Sequence, residues 1–127
     1  MAEPIFYRCN KCGNLVFFLN KTGCTPQCCG EPMQELKAGT TDAATEKHVP
    51  VIVREGSKVT VKVGEVAHPM LEKHYIQWVA LVQGDEVRFA LLKPEQEPVA
   101  VFEGVAEGEP VVAYEYCNLH GLWKAEA

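Results

Sequence analysis

Cysteines and histidines are the residues of this 127-residue chain that are best suited to bind metal ions. Cys9 and Cys12 form a C-x2-C pair, which wraps its own backbone around a metal. Cys28 and Cys29 form a second, adjacent pair, and each pair is followed by a glycine that permits a tight turn. Four thiolates suit tetrahedral iron or zinc, and the type of ligand does not distinguish these two metals.

The adjacent pair sets a geometric condition, because the side chains of neighbouring residues point apart. Cys28 and Cys29 can reach one metal only if the local backbone bends, so we expect a distorted tetrahedron. Cys24 is the remaining cysteine of this segment, and we interpret it as a free thiol. The alternative is that Cys24 replaces Cys28 as a ligand, since the two form a C-x3-C pair.

A second set of candidate ligands lies in the rest of the chain. A single histidine in a strand-rich domain is more often an ordinary residue than a ligand, but these histidines fall at predicted strand ends or loops, where a scaffold presents functional groups. Imidazole and thiolate together suit iron or copper. The candidate ligands are His48, His68, His74, Cys117 and His120, with Cys117 and His120 in C-x2-H spacing.

Such a ligand set has chemical consequences. Four neutral imidazoles and one thiolate leave a divalent iron with a net positive charge, which attracts a small anion. Five ligands leave one octahedral position open, and a thiolate opposite that position pushes electron density toward whatever binds there. Backbone N–H groups after Cys117 can hydrogen-bond the sulfur and tune its potential.

The elements that must position these ligands are predicted to be mainly β. Val59, Val61 and Val63 alternate with polar residues, as in a half-buried strand. Similar runs, separated by turn residues, predict about seven strands and an immunoglobulin-like sandwich. The runs are Ile5–Tyr7 and Leu15–Leu19 in the first segment, and Val49–Val53, Tyr75–Val82, Val87–Leu92, Val99–Phe102 and Val111–Tyr116 in the second.

Composition divides the chain near residue 37 and excludes several classes of function. Residues 1–37 have a net charge of +1 and residues 38–127 a net charge of −6, and residues 38–45 are predicted to form a linker. The overall charge of −5, without a basic cluster, argues against nucleic acid and anionic membranes as partners. The chain start lacks a secretory signal, so we expect a cytoplasmic protein in which cysteines are thiols or metal ligands.

Four motifs, together with the cysteine pairs, give a resemblance over nearly the whole length. The chain resembles the desulfoferrodoxins, the two-iron class of superoxide reductases, and its first 37 residues resemble desulforedoxin. The motifs are Glu46-Lys47-His48-Val49-Pro50, Ala67-His68-Pro69-Met70, Glu72-Lys73-His74 and Tyr116-Cys117-Asn118-Leu119-His120-Gly121. Cys24 is not part of the family pattern.

The resemblance implies one-electron reduction of superoxide to hydrogen peroxide, without dismutation to oxygen. It implies two irons per chain, an FeS4 centre bound by Cys9, Cys12, Cys28 and Cys29, and a catalytic iron with four equatorial histidines, His48, His68, His74 and His120, and axial Cys117. It also implies a desulforedoxin-like domain over residues 1–37, a catalytic immunoglobulin-like domain over residues 38–127, a homodimer and a rubredoxin-like electron donor. The FeS4 centre either transfers electrons or only stabilises the dimer.

Two further residues are predicted to take part in the reaction. The triplet Glu-Lys-His occurs at residues 46–48 and again at residues 72–74, and the resemblance selects the first. Lys47 is predicted to attract the anion and orient a proton-delivering water. Glu46 is predicted to close the ferric site as a sixth ligand. The alternative for both is a solvated surface pair.

Two other functions are compatible with parts of the pattern. A cupredoxin-type electron-transfer protein would use a late C-x2-H and one upstream histidine, but no methionine follows His120 to serve as axial ligand. A binding module made of a zinc ribbon and a β-sandwich would explain the cysteines and leave the histidines as ordinary residues. Copper would favour the first, and zinc with an empty second site would favour the second.

Overall fold

The computed structural model describes residues 1–39, 45–65 and 68–127, with side chains described for all of these except residues 45 and 46. Residues 40–44 of the predicted linker therefore lie outside the described part. The chain divides into two compact units, a small unit of Glu3–Lys37 and a large unit of Met1–Ala2 together with Ala38–Ala127.

The small unit contains five very short strands. β1, β2 and β5 form an antiparallel sheet in the order β2-β1-β5, and β3 and β4 form a separate ribbon. Its buried cluster consists of Tyr7, Cys9 and Met33. Such a small apolar cluster cannot stabilise a chain of this length without a further crosslink. The strands are β1 Phe6–Arg8, β2 Leu15–Phe17, β3 Gln27–Cys28, β4 Glu31–Pro32 and β5 Gln34–Glu35.

The large unit is a sandwich of two antiparallel sheets. One sheet has the order β10-β7-β6 and the other has the order β12-β11-β8-β9. A one-turn helix, α1, precedes the first strand of the sandwich. The elements are α1 Thr45–His48, β6 Pro50–Glu55, β7 Lys58–Val63, β8 Ile76–Gln83, β9 Glu86–Leu91, β10 Val99–Phe102, β11 Val112–Cys117 and β12 Gly121–Glu126.

The core of the sandwich lies between the two sheets. Val59, Val61 and Val63 of β7 are all fully buried, as their alternation in the sequence predicts. They pack in one cluster with Val79 and Leu81 of β8 on the facing sheet. Each such side chain contributes about 1.5–3 kcal/mol when it is fully buried. The large unit therefore has an apolar core that does not depend on a metal.

Two-residue turns fix the register of two hairpins in the sandwich. Glu55 pairs with Lys58 across Gly56, and Gln83 pairs with Glu86 across Gly84. Both glycines have a positive φ, +60° and +58°, as tight hairpin turns require. Turn residues therefore separate the strands of these two hairpins, as the sequence predicts.

The predicted fold class, mainly β with a small metal-binding domain followed by a sandwich, is confirmed. Within the described residues the sandwich has seven strands, but the sequence runs do not predict β12, which begins at Gly121 and contains no β-branched residue. They also do not predict the single turn of α1. Within the described residues, the chain has no helix that is long and apolar enough to span a membrane.

Candidate metal centres

The cysteine centre lies in the turns of the small unit. Cys9 follows β1, Cys12 lies in the turn after it, Cys28 ends β3 and Cys29 begins the β3–β4 turn. The four Sγ atoms all lie within 4.8 Å of one another. Cys24 is exposed and does not belong to this group. The structure thus brings together the four predicted thiols and leaves Cys24 outside.

The local backbone explains how these ligands converge. The Gly13 N–H donates to the Cys9 carbonyl over 3.0 Å, and Gly13 has a φ of +83°, so the chain turns back after Cys12. Cys29 itself has a φ of +55°, an uncommon conformation for a residue other than glycine. This is the backbone bend that adjacent ligands require, because it turns the Cys29 side chain toward that of Cys28.

The sulfur separations fit a tetrahedral metal. The Sγ atoms of Cys12 and Cys28 are 3.6 Å apart, and those of Cys28 and Cys29 are 3.9 Å apart. A metal–sulfur distance of about 2.3 Å places the sulfurs of a tetrahedron about 3.8 Å apart. The Asn14 amide lies 3.6 Å from the Cys28 sulfur and can donate to it.

The thiols of this centre have opposite pKa shifts. Hydrogen bonding from the backbone of Cys12 lowers the pKa of Cys9 to about 6. Hydrogen bonds with neighbouring thiols, Cys12 first, raise the pKa of Cys29 to about 12. Without a metal, the four sulfurs therefore share protons and are not all ionised.

The histidine centre lies at one end of the sandwich, where several elements begin or end. His48 is the last residue of α1, His68 lies in the β7–β8 connection, His74 precedes β8, and Cys117 and His120 flank the β11–β12 turn. One nitrogen from each histidine and the Cys117 sulfur all lie within 4.8 Å of one another. Residues up to 72 positions apart in the chain therefore converge on one point.

The four imidazole rings form a closed cycle. Going round it, the ring centroids are 4.7 Å apart for His48 and His68, 4.9 Å for His68 and His74, 5.1 Å for His74 and His120, and 4.8 Å for His120 and His48. Consecutive rings are nearly perpendicular, with interplanar angles between 76° and 89°. This is the arrangement of four ligands around the equator of one metal.

The nitrogen separations support the same conclusion. His48 Nε2 lies 3.1 Å from His68 Nε2 and 3.0 Å from His120 Nδ1. Four nitrogens at the corners of a square, each about 2.1 Å from a central metal, are about 3.0 Å apart along an edge. His74 Nε2 is buried and has no hydrogen-bond partner among the described residues, as expected of an atom reserved for a metal.

Neighbouring groups orient two of the rings. His68 donates from Nδ1 to the Pro69 carbonyl over 2.7 Å, which leaves Nε2 free of its proton. The Trp123 ring stacks on His48 at 5.3 Å, and its Nε1–H donates to the His120 carbonyl over 3.0 Å. The ligand spacing alone does not indicate this role of Trp123, since Trp123 belongs to the strand that the sequence runs do not predict.

A bulge in the sheet aims the cysteine of this centre. Tyr116 pairs with Trp78 but Cys117 pairs with Ile76, so the register with β8 shifts by one residue between them. Bulges of this kind re-aim side chains near functional sites. Burial raises the pKa of the Cys117 thiol, and hydrogen bonds from the backbone N–H groups of Leu119 and His120 oppose that shift. The predicted hydrogen bonding of backbone groups to this sulfur is therefore present.

Burial favours the neutral form of His68 and His74. His48 and His68 are 2% and 3% exposed, whereas His74 and His120 are half-buried. Burial, together with the neighbouring histidines and against the opposing Pro69 carbonyl, lowers the pKa of His68 to about 4. The pKa of His74 is also lowered, first by burial and then by His120. Neutral imidazole is the form that binds metals.

The two predicted reaction residues lie immediately before His48. Lys47 is exposed, and its charge contributes to the lowered pKa of His74, so it is within electrostatic range of the centre. The Glu46 side chain lies outside the described residues, although the backbone of Glu46 belongs to α1. The roles of both residues remain predictions.

Comparison with known proteins gives the family. Residues 4–36 match the model of the desulfoferrodoxin N-terminal domain, and residues 40–126 match the desulfoferrodoxin model. The desulfoferrodoxin of Nitratidesulfovibrio vulgaris is 51% identical over 121 residues, which cover 95% of this chain and 94% of that protein. The desulfoferrodoxin of Desulfarculus baarsii is 52% identical over 120 residues, 94% of each chain.

Solved structures agree with the sequence matches. The superoxide reductase of Treponema pallidum aligns with a TM-score of 0.79 and 37% identity, over 98% of this chain and 99% of that one. The superoxide reductase of Giardia intestinalis aligns with a TM-score of 0.57 and 35% identity, over 65% of this chain and 97% of that one. With the two family models covering both metal centres, the chain belongs to the desulfoferrodoxin family.

Proposed function

We propose that this protein is a superoxide reductase that converts superoxide, one electron and two protons into hydrogen peroxide. The observation that carries the proposal is the convergence of four imidazoles and one thiol on a single point at the end of the sandwich. His48, His68, His74, His120 and Cys117 would hold an iron at this point. A ferrous iron would supply the electron and a site at which superoxide could bind.

In the proposed reaction, side chains of the large unit bind the metal, attract superoxide and exclude water from the sulfur side of the centre. Cys117 is fully buried, so the sulfur side of the centre is closed to solvent. His74 and His120, in contrast, are half-buried. Lys47, whose charge reaches His74, attracts the anion to the centre although the protein is acidic overall.

The structure weighs against both alternative functions. A cupredoxin site would use one upstream histidine and leave the others without a role, but all four converge with Cys117. A binding module would leave the histidines as ordinary residues, yet the Nε2 atoms of His48 and His68 lie 3.1 Å apart in a buried site. A shared metal accounts for that contact.

The test is the yield of hydrogen peroxide from the iron-loaded, reduced protein. Reduction gives one peroxide for each superoxide consumed and no oxygen, whereas dismutation gives half as much peroxide together with oxygen. His68→Ala is the control, because it removes one equatorial ligand and should abolish the reaction. Peroxide at half the superoxide consumed, or activity without iron at this centre, would contradict the proposal.

The role of Lys47 is tested by the rate at which superoxide is captured. Lys47→Ala should slow capture and flatten its dependence on salt, because a steering charge acts through a screened field. Lys58→Ala is the matched control, since Lys58 is exposed at the far end of the β6–β7 hairpin from His48. Equal rates and salt slopes for the two variants would remove the steering role.

The role of Glu46 is tested by the ferric spectrum. We propose that its carboxylate closes the ferric site, a role supported by the family resemblance and by its position two residues before His48. Glu46→Ala should leave the reduction of superoxide largely intact and shift the thiolate-to-iron absorption band. An unchanged spectrum at every pH would exclude this ligand.

We also propose how the chain is organised. An FeS4 domain over residues 1–37 and a catalytic domain over residues 38–127 are supported by the two compact units and the two family matches. We infer a homodimer and a rubredoxin-like electron donor from the resemblance. We also propose a cytoplasmic location, where cysteines usually serve as thiols or metal ligands. Sedimentation tests the dimer, and reduction by purified rubredoxin tests the donor.

A further inference from the structure

The loops that carry His74 and Cys117 are joined by one side chain, that of Asn118. The Tyr75 N–H donates to the Asn118 Oδ1 over 3.0 Å. The Asn118 Nδ2–H donates to the Lys73 carbonyl over 2.9 Å. His74 lies between Lys73 and Tyr75 in the chain, so the amide binds the backbone on both sides of this ligand.

A backbone contact adds to this connection. The Asn118 N–H donates to the Tyr75 carbonyl over 3.3 Å, and on the other side His74 exchanges hydrogen bonds with Leu71 over 2.9 and 3.1 Å. Neither nitrogen of the His74 ring forms a hydrogen bond among the described residues, and its Nε2 is buried. His68, in contrast, is oriented directly through its Nδ1 by the Pro69 carbonyl.

We propose that Asn118 is a positioning residue that fixes His74 relative to Cys117 and His120. The proposal rests on the proposed function, in which these three residues bind the catalytic iron. Asn118 suits this task because its amide has one acceptor and one donor group. The acceptor binds the N–H of the residue after His74, and the donor binds the carbonyl of the residue before it. Asn118 directly follows Cys117 in the chain, so it connects the backbone at one predicted ligand, Cys117, with the backbone at another, His74.

The hydrogen-bonding groups of the Asn118 side chain, and not its size, suit it to this role. Leucine has nearly the same shape but can neither accept from Tyr75 nor donate to Lys73. Aspartate keeps the acceptor for the Tyr75 N–H and loses the donor to the Lys73 carbonyl. Asn118→Leu and Asn118→Asp therefore separate loss of both hydrogen bonds from loss of one.

The test compares iron retention, the ferric spectrum and amide exchange in the full-length protein. Asn118→Leu should release iron from the histidine centre to a chelator about 10–100-fold faster, as expected for loss of a group that holds a ligand. It should also change the electron paramagnetic resonance spectrum of that ferric iron. In metal-free protein, the Tyr75 amide hydrogen should exchange faster, while that of Val79 in the core should not.

The conservative variant and a matched control complete the experiment. Asn118→Asp should keep the Tyr75 amide protected and give a smaller effect on iron release, and it preserves the test if Asn118→Leu does not fold. Asn20→Leu makes the same exchange at an exposed position of the small unit and should have no effect on the histidine centre.

Two results would count against the proposal. The first is that Asn118→Leu changes neither the rate of iron release nor the ferric spectrum. Asn118 would then only stabilise the fold, even if the melting temperature were lowered. A wild-type protein that binds no iron at the histidine centre would overturn the proposed function as well, so the two failures are distinguishable.

Discussion

The two metal centres differ in what holds their ligands in place. The cysteine centre is built from turns between strands of two or three residues, and Cys12 and Cys29 are exposed. The histidine centre is built on the ends of longer strands in a sandwich whose core contains fully buried valines. A metal in the small unit is therefore part of the fold, whereas a metal in the large unit is bound by a fold that already exists.

Proton binding shows the same difference. In the cysteine centre, the pKa of Cys29 is raised to about 12, so the free site resists the fully ionised state that a metal requires. In the histidine centre, the pKa of His68 is lowered to about 4, so the imidazole is already in its metal-binding form at neutral pH. Cys117 is the exception, because burial raises the pKa of its thiol.

Removing the metals should have the largest effect on folding, and it should unfold the small unit only. We expect a chelator under reducing conditions to abolish protection of amide hydrogens throughout the small unit, because a chain of this size has no sufficient core of its own. The sandwich should retain its protected amides at β7 and β8. Hydrogen exchange followed by nuclear magnetic resonance measures both.

Single cysteine variants sharpen this experiment. Cys12→Ala should reproduce the loss of protection, since it removes one of four ligands. Cys24→Ala should not, because Cys24 is exposed and stands outside the ligand group. A small unit that keeps its protection after chelation would break the comparison between the two centres.

The metal-free sandwich should lose stability in acid because of His68. Its pKa is about 4 in the folded protein and 6.5 in the unfolded chain, so the unfolded state binds more protons between these values. The contribution of His68 to the free energy of unfolding should therefore rise by about 3 kcal/mol as the pH rises from about 4 to about 6.5, and then level off. Urea unfolding across this range, compared with His68→Gln, isolates the contribution.

The cysteine centre should not follow this pH dependence, because its fold depends on the metal and not on the protonation of His68. If the free energy of unfolding changed with pH equally in His68→Gln and in the unchanged protein, groups other than His68 would cause the acid sensitivity.

Local patterns predicted the cysteine centre better than the histidine centre. C-x2-C places two ligands within one turn, so Cys9 and Cys12 converge whatever the rest of the chain does. His48 and His120 are separated by most of the sandwich, and only sheet pairing brings them together. Spacing marked them as candidates, but the family resemblance was needed to assign them to one site.

Other features of the site depend on tertiary structure that a single sequence does not encode locally. The bulge at Tyr116 and Cys117 arises from the pairing with β8, which no pattern in β11 reveals. β12 contains only Leu122 and Trp123 as large apolar residues, too few for a recognisable strand run. Asn118 lies inside a quoted motif, yet its contacts with Lys73 and Tyr75 become visible only in the folded chain.

Glu115 should give the metal-free sandwich a second pH dependence of stability, opposite in direction to that of His68. This residue is fully buried, and neither carboxylate oxygen has a hydrogen-bond partner among the described residues. Burial raises its pKa well above the usual value, so the folded protein holds a proton that the unfolded chain releases above pH 4.5. Stability should therefore fall as the pH rises above 4.5, the opposite of the trend caused by His68.

Replacing this carboxyl should stabilise the metal-free protein. Glu115→Met removes two unpartnered polar atoms and should raise the free energy of unfolding at neutral pH by about 1–3 kcal/mol. The decline of stability with rising pH should flatten. Glu97→Met, at an exposed position, is the control. A destabilised Glu115→Met protein would show that the carboxyl has a partner that supports the fold.

Trp123 should give the smallest effect, confined to the histidine centre. Trp123→Phe keeps an aromatic ring against His48 and loses the hydrogen bond from Nε1 to the His120 carbonyl. The loss of one such bond should lower the free energy of unfolding by about 1 kcal/mol and weaken iron binding at this centre about fivefold. Trp123→Leu removes the stacked ring as well and should weaken iron binding further. Since iron at the cysteine centre has its own ligands and its own unit, its retention should be the same in both variants, and parallel loss of both irons would mean that the two centres are not held independently.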